Sequence, residues 1–165
     1  METITLEEAR RVISAAEQKA QEIDCPMDIA VVDAGVNLKA HVSMDGAFIG
    51  SITISINKAY TAIAFQGETK DLMDQTQPGG PLFGLSDAHG GNLVIFPGGI
   101  PLRRDGDIVG AIGVSTGTVE QDQEVAEAGA AAFSQPPESP IVPNDRMPRT
   151  SDRNLRATGW FSLSL

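Results

Sequence analysis

The sequence predicts an α/β (α+β) fold: a central, mostly antiparallel five-stranded sheet flanked by helices. Three observations carry that expectation. Asp105-Gly106 separates two extended apolar segments, 100–104 and 107–115. Asp-Gly readily takes positive φ at both central positions of a type I′ hairpin turn. A second turn, 34–37, separates the apolar run 29–32 from 38–43. Helical stretches open and close this set of strands, and each begins with a capping-box pattern, Thr5 with Glu8 and Thr118 with Gln121.

The elements follow in order. Leu6, Ala9, Val12, Ile13, Ala16, Ala20 and Ile23 recur at helical spacing. The first helix therefore buries one stripe on the sheet, and Asp24-Cys25-Pro26 ends it. Residues 29–32 and 38–43 form the first two strands, with Asp33 and Asn37 as turn formers. Residues 48–65 form a second helix with two apolar stripes. Ile49, Ile52, Ile56, Ala59 and Ile63 make one; Ile54, Ala62 and Phe65 lie nearly opposite. A helix that is apolar on two sides is usually buried on two sides, and in a domain this small the second cover is expected to be another subunit. Thr69 opens a short helix to Gln75. Two glycine-rich loops follow, 76–81 and 86–91. Leu93-Val94-Ile95-Phe96 reads as a further strand, stopped by Pro97-Gly98-Gly99. Gly110 and Gly113 inside the last strand predict close backbone approach or a bulge. The last helix spans 119–133.

Composition bounds the function. The chain has 165 residues, 41% of them hydrophobic, which suits one globular domain. Residues 1–133 form that domain, and 134–165 are a C-terminal extension holding half of the prolines. Such an extension has no core of its own, and its Trp160-Phe161 end suits docking on a neighbouring subunit. The net charge is −10; the extension is at +1, which leaves −11 for the domain. That surface disfavours nucleic acid and anionic membrane. No apolar run is long enough to span a bilayer. The acidic start lacks the features of a signal peptide, which implies a cytoplasmic location. A lone Cys25 excludes an internal disulfide.

Candidate chemistry is sparse. Lys58 lies within the second stripe of its helix. A lysine there either lays its stem along apolar surface or serves a ligand pocket. His89 sits in a glycine loop and suits acid–base work or ligation, whereas His41 lies on a strand. Glu120 and Asp122 occupy the first turn of the last helix, where carboxylates complement the dipole. No zinc-ligand spacing, phosphate loop, dinucleotide fingerprint or nucleophile elbow occurs. The expected pocket joins Lys58, the loops 77–80 and 89–91, and the start of the last helix. Gln77, Gly79, Gly80, Gly90, Gly91, Gly98, Gly99, Ser115 and Met44 are its candidate ligand-binding residues, with Lys58, His89 and Asp122 as catalytic candidates.

The motifs FPGGIPL, GAIGVSTGTVEQD and AEAGAAA resemble the GlcG/HbpS-like family. So do TLEEARRVI, VVDAGVNL, MDGAFIGSI, NKAYTA and TQPGGPLFG, so that the resemblance covers residues 3–133; the extension departs from it. It implies a profilin-like arrangement of the sheet and helices, assembly into homo-oligomers, and haem or a related tetrapyrrole as ligand. His89, His41, Met44 and Tyr60 are then the candidate iron donors, with His89 preferred. A different class stays open: a cytoplasmic catabolic enzyme acting on a small anionic metabolite, such as an aromatic ring-cleavage product. There Lys58 would orient a carboxylate, glycine amides would stabilise an oxyanion, and His89 or Asp122 would move protons. A scaffold without ligand is the third reading.

Overall fold

The computed structural model describes residues 2–135. The expected docking of the extension therefore lies outside the described residues. The elements are α1 (Leu6–Glu22), β1 (Asp28–Asp33), β2 (Leu38–Ser43), α2 (Ser51–Phe65), α3 (Leu85–Ala88), β3 (Gly99–Arg104), β4 (Asp107–Ser115) and α4 (Val119–Ser134). Short 3₁₀ turns occupy Thr69–Leu72 and Asp74–Thr76. The sheet is antiparallel throughout, in the order β2-β1-β4-β3.

Both capping boxes form. The Thr5 hydroxyl accepts from the Glu8 amide while Glu8 accepts from the Thr5 amide, and Thr118 and Gln121 do the same for α4. The β3–β4 turn has positive φ at both Asp105 and Gly106, as a type I′ turn requires. Helices α1 and α4 cross on one face of the sheet, where the main core gathers Val12, Ala16, Ile29, Val31, Ile112, Val114 and Val125. Helix α2 covers β1, β4 and β3 on the other face.

Two expectations are corrected. The sheet has four strands, not five, because residues 93–96 form no ladder. Leu93 and Val94 are buried there, but the Val94 amide donates to the Thr61 hydroxyl of α2 rather than to a strand. An apolar run signals burial, and burial can be met without pairing. The second helix begins at Ser51 instead of Phe48, and its buried face is Ser51, Ser55, Lys58, Ala59, Thr61 and Ala62. The isoleucines of the expected stripes are half-buried at most, and Ile49 is 88% exposed.

The register explains this inversion. Ala30, Gly113 and Gly99 lie side by side across β1, β4 and β3, a row with almost no side chain beneath α2. A Cβ on Gly113 would lie 2.0 Å from the Ser55 carbonyl oxygen and 2.6 Å from the Ala59 nitrogen. One on Gly99 would lie 2.6 Å from the Lys58 carbonyl oxygen. Helix backbone and sheet backbone therefore touch, and only small or slender side chains fit between them.

Gly113→Ala should accordingly destabilise the fold by about 1–3 kcal/mol or more, since the clash is with backbone. Gly50→Ala, where a Cβ would meet nothing within 4 Å, should stay within about 0.5 kcal/mol of the parent. Equal urea midpoints for the two variants would contradict the close approach.

Candidate functional site

The chemistry concentrates where β4 ends. Lys58 is 0% exposed, its side chain lying over Gly113. Its ammonium donates to Asp122 Oδ2 at 2.6 Å and to the Val114 carbonyl at 2.7 Å. The Phe96 ring centre lies 4.8 Å from the same nitrogen, within cation–π range. The other Asp122 oxygen accepts from the Gly117 amide at 3.0 Å. Burial pushes the Lys58 amine below its usual range and the Asp122 carboxyl above its own, in each case against the pull of the partner charge. The two groups are thus brought closer in proton affinity.

The surrounding glycines are committed. A side chain on Gly98 would lie 2.8 Å from the lysine nitrogen. The Gly98 amide donates to the Gln123 side chain and the Gly99 amide to the Thr69 hydroxyl. At the start of α4, Thr118 and Gln121 exchange hydrogen bonds, and Asp122 takes the Gly117 amide. The anion held at this helix N-terminus is Asp122 itself. Glu120 stands outside, its carboxyl held below the usual range by its own amide and the Thr118 hydroxyl.

Of the predicted pocket, the structure thus brings together Lys58, Asp122, Gly98 and Gly99. Gln77 donates to the Met73 carbonyl, and the Gly80 amide closes its own loop on Gln77. Gly79, Gly90 and Gly91 take positive φ with open space where a Cβ would stand. Among the described residues, no hydrogen bond or ion pair links either loop to Lys58 or Asp122. Met44 instead turns inward, its sulfur accepting from the Met27 amide.

The histidines part company. His89 meets Tyr60 of α2, the phenol oxygen lying 3.1 Å from Nε2 and 3.4 Å from Nδ1, on the exposed side of the helix. The two rings are tilted at 45°. His41 lies on the edge strand β2, with Nε2 3.6 Å from Oδ1 of Asp28. Both of these atoms are buried and neither has a hydrogen-bond partner among the described residues. Asp28 pairs in register with Ser115 and takes a 3.4 Å contact from the Thr116 hydroxyl through Oδ2. Thr116 holds a φ of 136°, a strained value for a β-branched residue.

Asp28, Thr116 and Phe96 escaped the sequence reading. Asp28 left one signal, an acid at the head of the strand DIAVVD. The partnership of Tyr60 with His89 left none, since 29 residues separate them. Two cavities, of about 490 and 460 Å³, lie away from all this, beside the β3–β4 hairpin and Arg103. Arg103 there is engaged by the Gly106 and Gln66 carbonyls. Among the described residues no cluster of three His, Cys, Asp or Glu side chains could hold a metal ion.

The family model for the haem degrading protein HbpS-like matches residues 4–131. An uncharacterised 15.0 kDa protein of the dhaT-dhaS intergenic region of Citrobacter freundii is 45% identical over 81% of this chain and 94% of its own length. The corrinoid adenosyltransferase PduO of Citrobacter freundii is 35% identical over 80% of this chain, which spans only 39% of that protein. A crystal structure of a PduOC:haem complex superposes with a TM-score of 0.76 at 35% identity, covering 79% of this chain and 94% of that one.

The buried ion pair yields a test. Asp122→Asn leaves the Lys58 charge unmatched and should cost about 3–5 kcal/mol. Combining it with Lys58→Met, which removes the orphaned charge, should recover a large part of the loss. Urea unfolding of the single and double variants measures this; a double variant no more stable than Asp122→Asn would show that the pair carries no such constraint.

Proposed function

The chain belongs to the HbpS-like family, and on that premise we propose that it is a small-ligand-binding protein whose ligand is haem or a related tetrapyrrole. The observation that carries the reading is the exposed Tyr60–His89 pair. Phenol oxygen and imidazole nitrogen are both haem-iron donors, and here they meet at one point of the surface. A free metal ion would need several protein ligands. A metallated tetrapyrrole brings its own ring nitrogens and needs only an axial donor, so the absence of a three-ligand cluster among the described residues suits it. Bound haem would supply an iron centre for ligand or redox chemistry. The protein's part is to donate the axial group and a surface for the ring.

The enzymatic reading on a small anionic metabolite rests on Lys58 and Asp122. It is weaker, because Lys58 has no exposed surface and its charge already has partners. A substrate would reach it only after Phe96 or the Gly98 turn moved aside. Phe48, just ahead of α2, and Phe83, in the loop before α3, are 68% and 67% exposed, which supports the homo-oligomer that a profilin-like, cytoplasmic member would form. The extension from 134 onward belongs to that assembly in the same reading.

Titration of the purified protein with haemin should shift the Soret band at stoichiometric ratio, and His89→Ala should alter the resulting spectrum. An unshifted band would remove haem as the ligand. Light scattering should give at least a dimer, reduced in size by Phe65→Glu, because an unpaired charge is costly in an apolar interface; a monomeric parent protein would refute the assembly.

A further inference from the structure

The sheet has two edges, and they are not alike. On β3, Pro101 has no amide to offer and the Gly99 amide donates to the Thr69 hydroxyl. That edge is blunted. At the other edge β2 carries neither proline nor glycine. The Met44 amide, just past β2, donates to the Met27 carbonyl. Inward and outward bonding alternate along an antiparallel strand. Val42 and Ala40 therefore also bond towards β1, and the main-chain groups of Lys39, His41 and Ser43 point away from it. The core is open at the same edge. Ala40 and Val42 are half-buried at the margin of the main core, and Leu38 is 50% exposed. An open strand edge with an unfinished apolar margin beside it is a template for another strand.

The chain holds a segment of matching pattern. Phe161, Leu163 and Leu165 alternate with Ser162 and Ser164, the period of a strand with one apolar face. We propose that residues 160–165 of one copy of this chain add to the outer edge of β2 in a second copy, as a fifth strand of that sheet. The proposal rests on the homo-oligomer reading and names the contact that the extension makes within it. The outward groups of Lys39, His41 and Ser43 supply the ladder bonds, and the side chains set the register. Phe161, Leu163 and Leu165 continue the face of Ala40 and Val42 over the open core margin. The two serines fall on the face of Lys39 and His41, polar beside polar. The layout of the domain points to a second copy as the donor. Helix α4 lies over β3 and β4, so the chain leaves its own sheet on the side away from β2. Residues 136–159 hold half of the chain's prolines. A proline-rich spacer of that length, at about 3 Å per residue, reaches roughly 70 Å, ample to cross to a neighbour.

The full chain is the sample, hydrogen–deuterium exchange and light scattering are the readouts, and Leu163→Asp is the variant. It lies outside the domain of residues 1–133, and it would force a carboxylate onto an apolar face. The parent should protect the outward amides of β2. Leu163→Asp should speed their exchange about 10-fold or more, with β1 and β4 exchanging at the parent rate. Equal β2 exchange in the two proteins, with an oligomeric parent, would overturn the docking and leave the homo-oligomer standing. A monomeric parent would overturn the assembly and the docking together. Cysteine pairing identifies the donor. In a Cys25→Ala background, chains carrying Lys39→Cys or Ser43→Cys are mixed with chains carrying Ser162→Cys. Mild oxidation should link the two kinds of chain through one of the two β2 positions. No link at either position, or a doubly substituted chain that closes only on itself, would overturn the second copy as donor.

Discussion

A lysine ammonium sealed from water has to find in the protein what water would have supplied. Lys58 finds it in one carboxylate, one main-chain carbonyl and the face of one aromatic ring. Those partners come from α4, from the end of β4 and from the segment before β3, so a single nitrogen ties together α2 on one side of the sheet and α4 on the other. Desolvation works against both charges. The attraction between them and the hydrogen bonds to Val114 and Gly117 offset it. Much of the local architecture follows from keeping that arrangement closed. Gly98 has no side chain because one would meet the lysine nitrogen, and Asp122 is held by the Gly117 amide so that its second oxygen is free for the pair.

The same constraint explains the unusual make-up of α2. The row Ala30–Gly113–Gly99 lets the helix backbone settle on the sheet backbone. At that distance a leucine or isoleucine cannot be accommodated beneath the helix, and serine, alanine and the slender stem of lysine can. The helix therefore turns its branched apolar residues sideways and outward. In an ordinary amphipathic helix the hydrophobic face is the buried one. Here the distance to the sheet selects by size, and hydrophobicity is left over for the surface. That surplus leaves apolar surface that another subunit would cover.

Chemistry that is spread along the chain thus sorts into three settings. The Lys58–Asp122 pair is internal and saturated, which suits holding the fold more than meeting a substrate. The Asp28–His41 contact is half-internal, with two buried atoms facing one another at 3.6 Å and no other partner among the described residues. The Tyr60–His89 pair is open to solvent. Only the last combines metal-donor chemistry with access, and this is why the functional reading is placed there.

Local rules were enough for much of the fold. Thr5 with Glu8 and Thr118 with Gln121 could be read as helix starts because a capping box is written within four residues. Asp105-Gly106 could be read as a hairpin because the turn type depends on two backbone conformations. Gly113 could be read as a close approach or a bulge, because a glycine inside an apolar strand commonly marks one of the two, and the structure shows the approach. A partner for Lys58 was also within reach, since a lysine on an apolar stripe needs an anion and the start of the last helix offered Glu120 and Asp122; which of the two it takes was not. The fate of residues 93–96 was not legible, because an apolar run reports that it will be buried and not whether a strand edge will be free to pair with it. Nor was the burial of Asp28 beside His41, or the meeting of Tyr60 with His89. Those depend on which residues face each other across the sheet and on where a loop returns over a helix. Sequence by itself determined the local elements, whose energies are set within a few residues. Tertiary structure alone decided which face of α2 lies inside, because that choice depends on the distance between two backbones that share no stretch of chain.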